Sequence, residues 1–200
     1  MVITLKLDPR GMEVNPKNGK IVFRFSDILS TPEWPEGPLV EIVKGDLFMV
    51  SSPNVKHQRI SKHLYEAFAF YLKNKPVGEL FYAPVDVILS ETDVVIPDLF
   101  FVSKENGKIV QKDNMRGAPD IAIEILSINP DRDKIVKKAL YEQYKVGEYW
   151  IVDPDAESVQ VFTLDARTNK YGKGNAYSGN SVVKASILDG LSIPLKTLFS

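Results

Sequence analysis

Two acidic residues stand where a hydrophobic core would normally exclude them. Asp98 interrupts the apolar run VVIPDLFFV, and Glu124 lies within Ile121 to Leu126, a short Ile-rich run typical of a strand buried on both faces. A buried carboxylate is costly unless a positive charge meets it. If the two strands are neighbours, both carboxylates can face one point, where a divalent cation would relieve their repulsion. Structural acid–lysine pairs produce the same pattern, so spacing alone leaves both interpretations open.

A lysine completes a set of residues that could hydrolyse a phosphodiester. Lys137 lies on the predicted helix after the Glu124 strand and can lean toward the sheet edge; alternatively, it is a surface lysine whose stem covers apolar area. Mg²⁺ suits the two acids best, because it accepts one or two carboxylates, keeps several waters and then coordinates a phosphate oxygen. Such an ion polarises a phosphoryl group, and a nearby lysine stabilises the transition state or orients the attacking water.

The apolar pattern predicts the elements that must position these side chains. A helix is expected over about 54–73, capped by Ser52 or Asn54, and a second over about 129–147, beginning at Asn129-Pro130 and ending at Gly147. Their predicted buried stripes are Ile60, Leu64, Ala67, Phe68 and Tyr71 in the first helix, and Val136, Leu140 and Tyr144 in the second. Strands are expected at 39–43 and 47–50 (a hairpin), 78–89 with a bend at Pro84, 94–102, 121–126, 148–152 and 158–164.

The two ends of the chain carry weaker signals. Residues 1–20 predict an edge strand or arm, 25–29 one helical turn, and the loop with Pro32, Pro35 and Pro38 a connector. Smaller strands are expected at 176–179, 182–188 and 191–194. We expect one domain over 1–200, with an N-terminal arm (1–38), a core (39–165) and a C-terminal β extension (166–200).

Glu41 and His57 each allow two interpretations. Glu41 lies inside the first hairpin strand, where it is either an exposed residue of a two-sided hairpin or an inward acid. His57 lies one turn before Ile60 on the buried stripe, so it is either a satisfied core residue or part of a site. Periodicity alone favours the structural interpretation of both.

Composition limits the function classes. The 200 residues contain no cysteine, which excludes thiol nucleophiles and thiolate metal sites and favours a reducing cytoplasm. No apolar stretch approaches the ~20 residues that span a bilayer. The net charge of −1 argues against holding nucleic acid by overall charge alone, although a local basic cleft remains compatible with it. Two basic segments could border such a cleft or be solvated: Lys56, Arg59, Lys62 and His63 on the first helix, and Lys104, Lys108, Lys112 and Arg116 in the loop 103–116.

Several segments resemble the PD-(D/E)xK restriction-endonuclease-like superfamily, and most closely its Uma-type branch. The resemblance covers about Leu39 to Leu164. The segments that carry it are Val40–Leu47, Ser52-Pro53 with His57, Pro97-Asp98, Ala118-Pro119-Asp120, Glu124–Ser127, Asp133 with Lys137 and Tyr141, and Glu148–Pro154. It implies an α/β fold with a mixed sheet flanked by helices and additional β-hairpins. It also implies that Asp98 and Glu124 bind the metal, with Glu41 and His57 as accessory groups of the same cleft.

The chain departs from the superfamily pattern at one position. The superfamily usually places a lysine two residues after the second acid, and here that residue is Leu126. We therefore assign the lysine role to Lys137, with Lys138 as the neighbour that could replace it. Tyr141 could orient the lysine or simply pack beside the core stripe.

These observations support three hypotheses. The first is a Mg²⁺-dependent DNA endonuclease in which Mn²⁺ could substitute, with a homodimer as one way to reach two strands. The second is a binding or scaffold module that kept the nuclease fold and lost turnover, which Leu126 and the near-neutral charge favour. The third, a hydrolase of RNA or of a nucleotide, ranks last because no Gly-rich phosphate loop or base-stacking motif supports it.

Overall fold

A seven-stranded mixed β-sheet lies at the centre of the protein. The computed structural model describes residues 13–14, 20–29, 39–127 and 130–200. Its first elements are β1 (Glu13–Val14), β2 (Ile21–Val22), α1 (Phe25–Leu29), β3 (Val40–Val43), β4 (Asp46–Met49), α2 (Val55–Asn74), β5 (Gly78–Tyr82), β6 (Val87–Ser90), β7 (Asp93–Val95) and β8 (Leu99–Ser103). The next are a 3₁₀ turn (Gly107–Ile109), β9 (Met115–Arg116), β10 (Ile121–Ile125), a π-helical segment (Arg132–Lys137), α3 (Lys138–Gln143), β11 (Glu148–Asp153) and β12 (Ser158–Asp165). The last are β13 (Lys170–Tyr171), β14 (Asn175–Ser178), β15 (Val182–Lys184), β16 (Ser192–Pro194) and α4 (Leu195–Leu198).

Two sheets carry most of the strands. The large sheet has the order β13-β12-β11-β10-β8-β5, with β14 also paired to β12. Its central pair β10–β11 is parallel, whereas β8 runs antiparallel to both β10 and β5. The small sheet has the order β4-β3-β7-β6-β9. The predicted mixed sheet flanked by helices is therefore confirmed.

The two faces of the large sheet have different partners. Helix α2 covers one face, where Leu64 and Phe68 pack with Ile123 and Trp150, and the C-terminal β15, β16 and α4 join the same cluster. Helix α3 and the small sheet cover the other face. Because side chains alternate along a strand, Ile121, Ile123 and Ile125 of β10 face α2, whereas Glu124 faces α3. The acid thus enters a core that the apolar strand otherwise fills.

Helix α2 begins and ends where its sequence predicts. Asn54 is the N-cap, and its side chain accepts a hydrogen bond from the backbone N–H of His57 at 2.9 Å. Lys75 caps the other end, and the following Pro76 cannot continue a helix. The predicted stripe is buried at Ile60, Leu64 and Phe68, so the prediction of this helix is confirmed.

Two predicted strands are each divided between the two sheets. The predicted strand over 94–102 was wrong in its extent: β7 belongs to the small sheet and β8 to the large one, and Ile96-Pro97-Asp98 connects them. Pro97 has no N–H for a strand ladder, which gives a physical reason for the break. Likewise the predicted strand over 78–89 divides into β5 and β6, with a cis peptide bond between Ala83 and Pro84. The apolar runs were correct, but alternation cannot show that a chain changes sheets.

The predicted buried stripe of the second helix was wrong at Val136 and correct at Leu140. Val136 is exposed, whereas Lys137, Leu140 and Tyr141 are buried. The cause is that the π-helical segment buries two charged residues, Asp133 and Lys137. A pattern of apolar residues therefore could not show which face of this helix points inward. The helix also ends at Gln143, before Lys145, whose φ of 61° breaks it, and not at Gly147.

Some predictions concern residues outside the described ranges. These are most of the arm 1–20, the loop with Pro32, Pro35 and Pro38, and the helix start at Asn129. The predicted hairpin β3–β4 and the helical turn α1 are confirmed.

Candidate active site

The chain crosses between the two sheets at two adjoining points. Residues 96–98 connect β7 to β8, and residues 83–86 connect β5 to β6. The backbone N–H of Ala83 donates to the carbonyl of Asp98 at 3.0 Å, which fixes the crossings side by side. A pocket of about 700 Å³ opens there, and Asp98, Glu124, Glu41, His57 and Lys137 all line it.

Asp98 is held by one of its two carboxylate oxygens. Oδ2 accepts a hydrogen bond from the backbone N–H of Ile125 at 2.7 Å and lies 3.1 Å from Nε2 of His57. Ile125 follows Glu124 on β10, so this bond ties Asp98 directly to the strand that carries the second acid. No residue of the described ranges makes a hydrogen bond to Oδ1.

Glu124 is held in the same way. Its Oε1 accepts hydrogen bonds from Nζ of Lys137 at 2.9 Å and from the hydroxyl of Tyr141 at 2.7 Å. Its Oε2 has no hydrogen-bond partner among the residues that the structure describes. Each acid therefore keeps one oxygen that no described protein group occupies, and both side chains line the same pocket.

Glu41 lies behind these two acids as a buried anchor. It is 1 % exposed, and its Oε1 accepts a hydrogen bond from the backbone N–H of Ile96 at 2.8 Å and forms an ion pair with Nζ of Lys137 at 3.0 Å. Its Oε2 binds Nη2 of Arg132, whose guanidinium lies over the ring of Phe48 at 4.6 Å. The hairpin that carries Glu41 turns at Lys44-Gly45, where both residues have positive φ and a side chain at Gly45 would meet Val22.

Lys137 lies between three carboxylates. Besides Glu124 and Glu41, Oδ1 of Asp133 is 3.6 Å from its Nζ. The helix places Asp133 and Lys137 on one face, four residues apart, and both are buried. Tyr141 follows on the same face, so it both packs in the core and donates to Glu124.

The pocket holds more acids than bases. Asp98, Glu124, Glu41 and Asp133 carry four potential negative charges, whereas Lys137 and Arg132 supply two positive ones. Burial raises the pKa of Glu124 well above its ordinary value; Lys137 opposes the shift, and the three other acids add to it. Burial also raises the pKa of Asp133. Lys137 stays protonated, because the attraction of its three carboxylates outweighs burial and raises its pKa. The cluster therefore favours the uptake of a cation or of a proton.

A divalent cation with few protein ligands fits these donors. Within the described part of the chain no group of three or more His, Cys, Asp or Glu side chains has metal-binding geometry. The free oxygens of Asp98 and Glu124 provide two hard ligands, and Mg²⁺ is commonly bound by one or two carboxylates together with water. The excess of acid supplies the charge that such an ion would neutralise.

His57 sits at the junction of α2 and the pocket. Its Nε2 contacts Asp98, and its buried Nδ1 has no hydrogen-bond partner among the described residues. A neutral ring with its proton on Nε2 would donate to the carboxylate and hold it in place.

Other predicted residues lie outside the pocket. Lys56 pairs with Asp155, and neither Lys56, Arg59 nor the 104–116 segment is among its described lining residues. Of the two alternatives for these basic segments, the pocket lining gives no support to the first. Lys138, the alternative lysine, points its ammonium at the ring of Phe162, 4.0 Å from the centroid. Leu126 is buried in the core.

Sequence reasoning missed Arg132 as a pocket residue, and it named Asp133 among the residues of the resemblance without giving it a role in the site. The signal for Asp133 was its spacing of four residues before Lys137. Arg132 carried no pattern of its own, since its position depends on the partner Glu41 from a distant strand.

Comparison with known proteins identifies the family. Residues 27–196 match the model of the Uma2 family, described as "Putative restriction endonuclease". The chain belongs to this family. No curated protein matches it. A solved structure from Anabaena variabilis ATCC 29413, described as a putative nuclease, is similar with a TM-score of 0.72 and 20% identity, covering 88% of this chain and 97% of that one. At 20% identity this similarity shows that the two proteins share a fold, which is consistent with the Uma2 assignment.

The part of the Uma2 chain that the structure describes contains no helix long and apolar enough to cross a membrane.

Proposed function

We propose that this Uma2 protein is a metal-dependent endonuclease that hydrolyses DNA phosphodiester bonds. The observation that carries the proposal is the pair Asp98 and Glu124, which share one pocket. Asp98 lies just before β8 and Glu124 lies on the neighbouring strand β10, and each acid has one oxygen free of described protein partners. These residues would hold Mg²⁺, or Mn²⁺ in its place. When bound, the ion would polarise the phosphoryl group and lower the pKa of the attacking water.

The remaining side chains have supporting roles in this proposal. Lys137 fixes Glu124 and brings a buried positive charge toward the site, where it would stabilise charge in the transition state or orient water. Glu41 anchors Lys137 and the Ile96 backbone, and His57 holds Asp98. DNA is the proposed substrate because the family is described in terms of restriction endonucleases.

One alternative has an observation in its favour: a nuclease-fold module that binds nucleic acid without turnover. The ammonium group of Lys137 forms ion pairs with all three carboxylates around it. In addition, the position where the superfamily usually has its lysine is occupied by the buried Leu126. A lysine occupied in this way is less available to a reacting phosphate.

The test combines cleavage with metal binding. Asp98→Asn and Glu124→Gln keep the shape of each side chain and remove its charge. We expect each variant to lose Mg²⁺-dependent cleavage of plasmid and oligonucleotide DNA by about a hundredfold or more, because changes in outer-shell groups alone cost 10–100-fold. Calorimetric titration with Mn²⁺ should show weakened binding in both variants, and circular dichroism should show an unchanged fold.

Glu79→Gln is the matched control. Glu79 is an exposed acid on β5, the strand beside β8, and does not line the pocket. The Glu79→Gln variant should cleave DNA and bind Mn²⁺ like the wild type. Cleavage that persists in chelator, or that survives both site changes, contradicts the nuclease proposal. Mn²⁺ binding without cleavage of single-stranded DNA, duplex DNA or RNA supports the binding module.

A further inference from the structure

An exposed aromatic residue lies at the edge of the pocket, next to the proposed metal ligands. Tyr82 is the last residue of β5 and pairs in register with Leu99, the residue after Asp98. The next residue, Ala83, donates its N–H to the carbonyl of Asp98 at 3.0 Å. Tyr82 lines the pocket and is nevertheless 58 % exposed. Tyr82 therefore directly precedes Ala83, the residue whose backbone bonds to Asp98, and the strand pairing of β5 with β8 fixes its position there.

A second tyrosine supports this ring. Residues 57, 61 and 65 recur every four residues on α2, so the helix face that bears His57 and Ser61 continues to Tyr65. The rings of Tyr65 and Tyr82 meet edge to face, with centroids 5.4 Å apart and planes at 84°. Helix and strand therefore restrict the orientation of Tyr82 from two sides, while more than half of its surface stays accessible.

At the mouth of the pocket, the other exposed residues among its described lining are apolar or uncharged. Leu39 and Met49, at the base of the hairpin, line the pocket and are 46 % and 56 % exposed. The uncharged polar lining residues are Ser51, Ser52, Gln58, Ser61 and Ser127. The cations among the described lining residues are Arg132 and Lys137, and both are bound to carboxylates. Such a mouth suits the face of a base better than the two phosphate backbones of a duplex.

We propose that the pocket takes an unpaired nucleotide of single-stranded DNA, with its base stacked on Tyr82 and an adjoining phosphate at Asp98 and Glu124. This inference rests on the proposed nuclease function and names its substrate. A base can reach an aromatic face in a pocket only after it leaves the duplex stack, so single strands and unpaired positions are favoured over a fully paired duplex. Because the acids of the pocket repel phosphates, stacking of the base also supplies attraction that contacts with phosphates cannot provide.

The test measures stacking and cleavage separately. An oligonucleotide carrying 2-aminopurine, with phosphorothioate linkages to slow hydrolysis, is titrated with protein in Mg²⁺; stacking on Tyr82 should quench its fluorescence. Cleavage is compared on single-stranded DNA, a fully paired duplex and a duplex with one bulged base. The variants are Tyr82→Ala, Tyr82→Leu and Tyr82→Phe. The matched control is Phe70→Ala, which removes a 74 % exposed aromatic on the helix of Tyr65, outside the pocket.

Wild-type protein should prefer the single strand and the bulge to the paired duplex. Tyr82→Ala and Tyr82→Leu should weaken single-strand binding on the order of tenfold and lose the quenching, since one stacked base contributes about that factor or more. Tyr82→Phe should stay within about twofold, and Phe70→Ala should match the wild type. Equal use of paired and unpaired DNA, or the same loss from Phe70→Ala as from Tyr82→Ala, overturns the inference.

The two proposals can fail independently. Mg²⁺-dependent cleavage that ignores pairing keeps the nuclease and removes the unpaired-base substrate. Quenching that depends on Tyr82, without cleavage of any DNA, removes the nuclease and keeps the base-binding site.

Discussion

Lys137 decides the electrostatic balance of the site, because in the described structure it is the one cation that contacts all three of Glu124, Glu41 and Asp133. It is 5 % exposed, so water screens these contacts poorly. Without it, three carboxylates would face each other in a buried space with Arg132, on Glu41, as their remaining described cation. The lysine therefore serves the fold as well as the proposed chemistry, and its removal should affect both.

We expect Lys137→Met to lower the free energy of unfolding by about 3–5 kcal/mol near neutral pH, the cost of leaving buried partners unpaired. The loss should depend on pH. In the folded protein the pKa of Glu124 is already raised above its ordinary value, so the folded state binds more protons than the unfolded state. Stability therefore falls as the pH rises from the ordinary pKa to the raised one. Removing Lys137 raises that pKa further. The loss should therefore increase as the pH rises above the ordinary pKa of a glutamate, as measured by urea unfolding at a series of pH values.

Lys134→Met is the control for this experiment. Lys134 lies in the same π-helical segment, but it is exposed and pairs with Asp153 at 3.4 Å. Its removal should change stability by no more than about 1 kcal/mol. Adding Glu124→Gln to Lys137→Met should recover part of the loss, since one of the repelling charges is removed. A loss that does not change with pH would show that Lys137 stabilises the protein by packing alone.

At the scale of elements, the site exists because strands cross between sheets beside a helix start. The crossing at 96–98 exposes Asp98 at a sheet junction, and the crossing at 83–86 brings Tyr82 beside it. Helix α2 begins opposite, so His57 reaches Asp98 from its first turn. The position of His57 therefore depends on how firmly that helix start is fixed.

Asn54→Ala should both destabilise the protein and loosen this turn. The Asn54 side chain accepts from the backbone N–H of His57, and losing a cap of this kind costs about 1 kcal/mol. We expect that decrease in the free energy of unfolding, together with weaker Mn²⁺ binding in calorimetric titration, because His57 positions Asp98. Asn54→Asp keeps an acceptor and adds a charge that favours the helix start, so it should equal or exceed the wild type in stability. Equal stability of Asn54→Ala and wild type would mean that the cap contributes nothing measurable.

The same elements explain how far the sequence could predict the structure. Helix α2 and β10 were predictable because their apolar periodicity is strong and their caps or turns are local. The division of 94–102 between two sheets was not, because alternation looks the same whichever sheet a strand joins. The inner face of the second helix was hidden by the burial of Asp133 and Lys137, which only partners from other strands make favourable. For the same reason, Glu41 and His57 were predicted to line the cleft only from the family resemblance, and Arg132 was not predicted at all.

At the scale of the whole molecule, charge limits how DNA can be held. The chain carries 25 basic and 26 acidic residues, for a net charge of −1. The pocket has more acids than bases, and the exposed lysine nearest to the start of α2, Lys56, pairs with Asp155. A protein with this distribution gains little from the release of counterions, so base contacts should supply a large share of its affinity.

Salt titration tests this balance directly. For single strands, the logarithm of the binding constant falls with the logarithm of salt concentration by about 0.7 per phosphate neutralised. With one to three phosphate contacts, the slope should lie between about −0.7 and −2, whereas six or more contacts would give about −4 or steeper. The measurement is the dissociation constant of the 2-aminopurine oligonucleotide at several NaCl concentrations and fixed Mg²⁺. Tyr82→Ala should weaken binding at every concentration and leave the slope unchanged, because a stacked base releases no counterions. A steep slope, or one that changes with Tyr82, would mean that the phosphate backbone carries the affinity and that a basic surface outside the pocket holds the DNA.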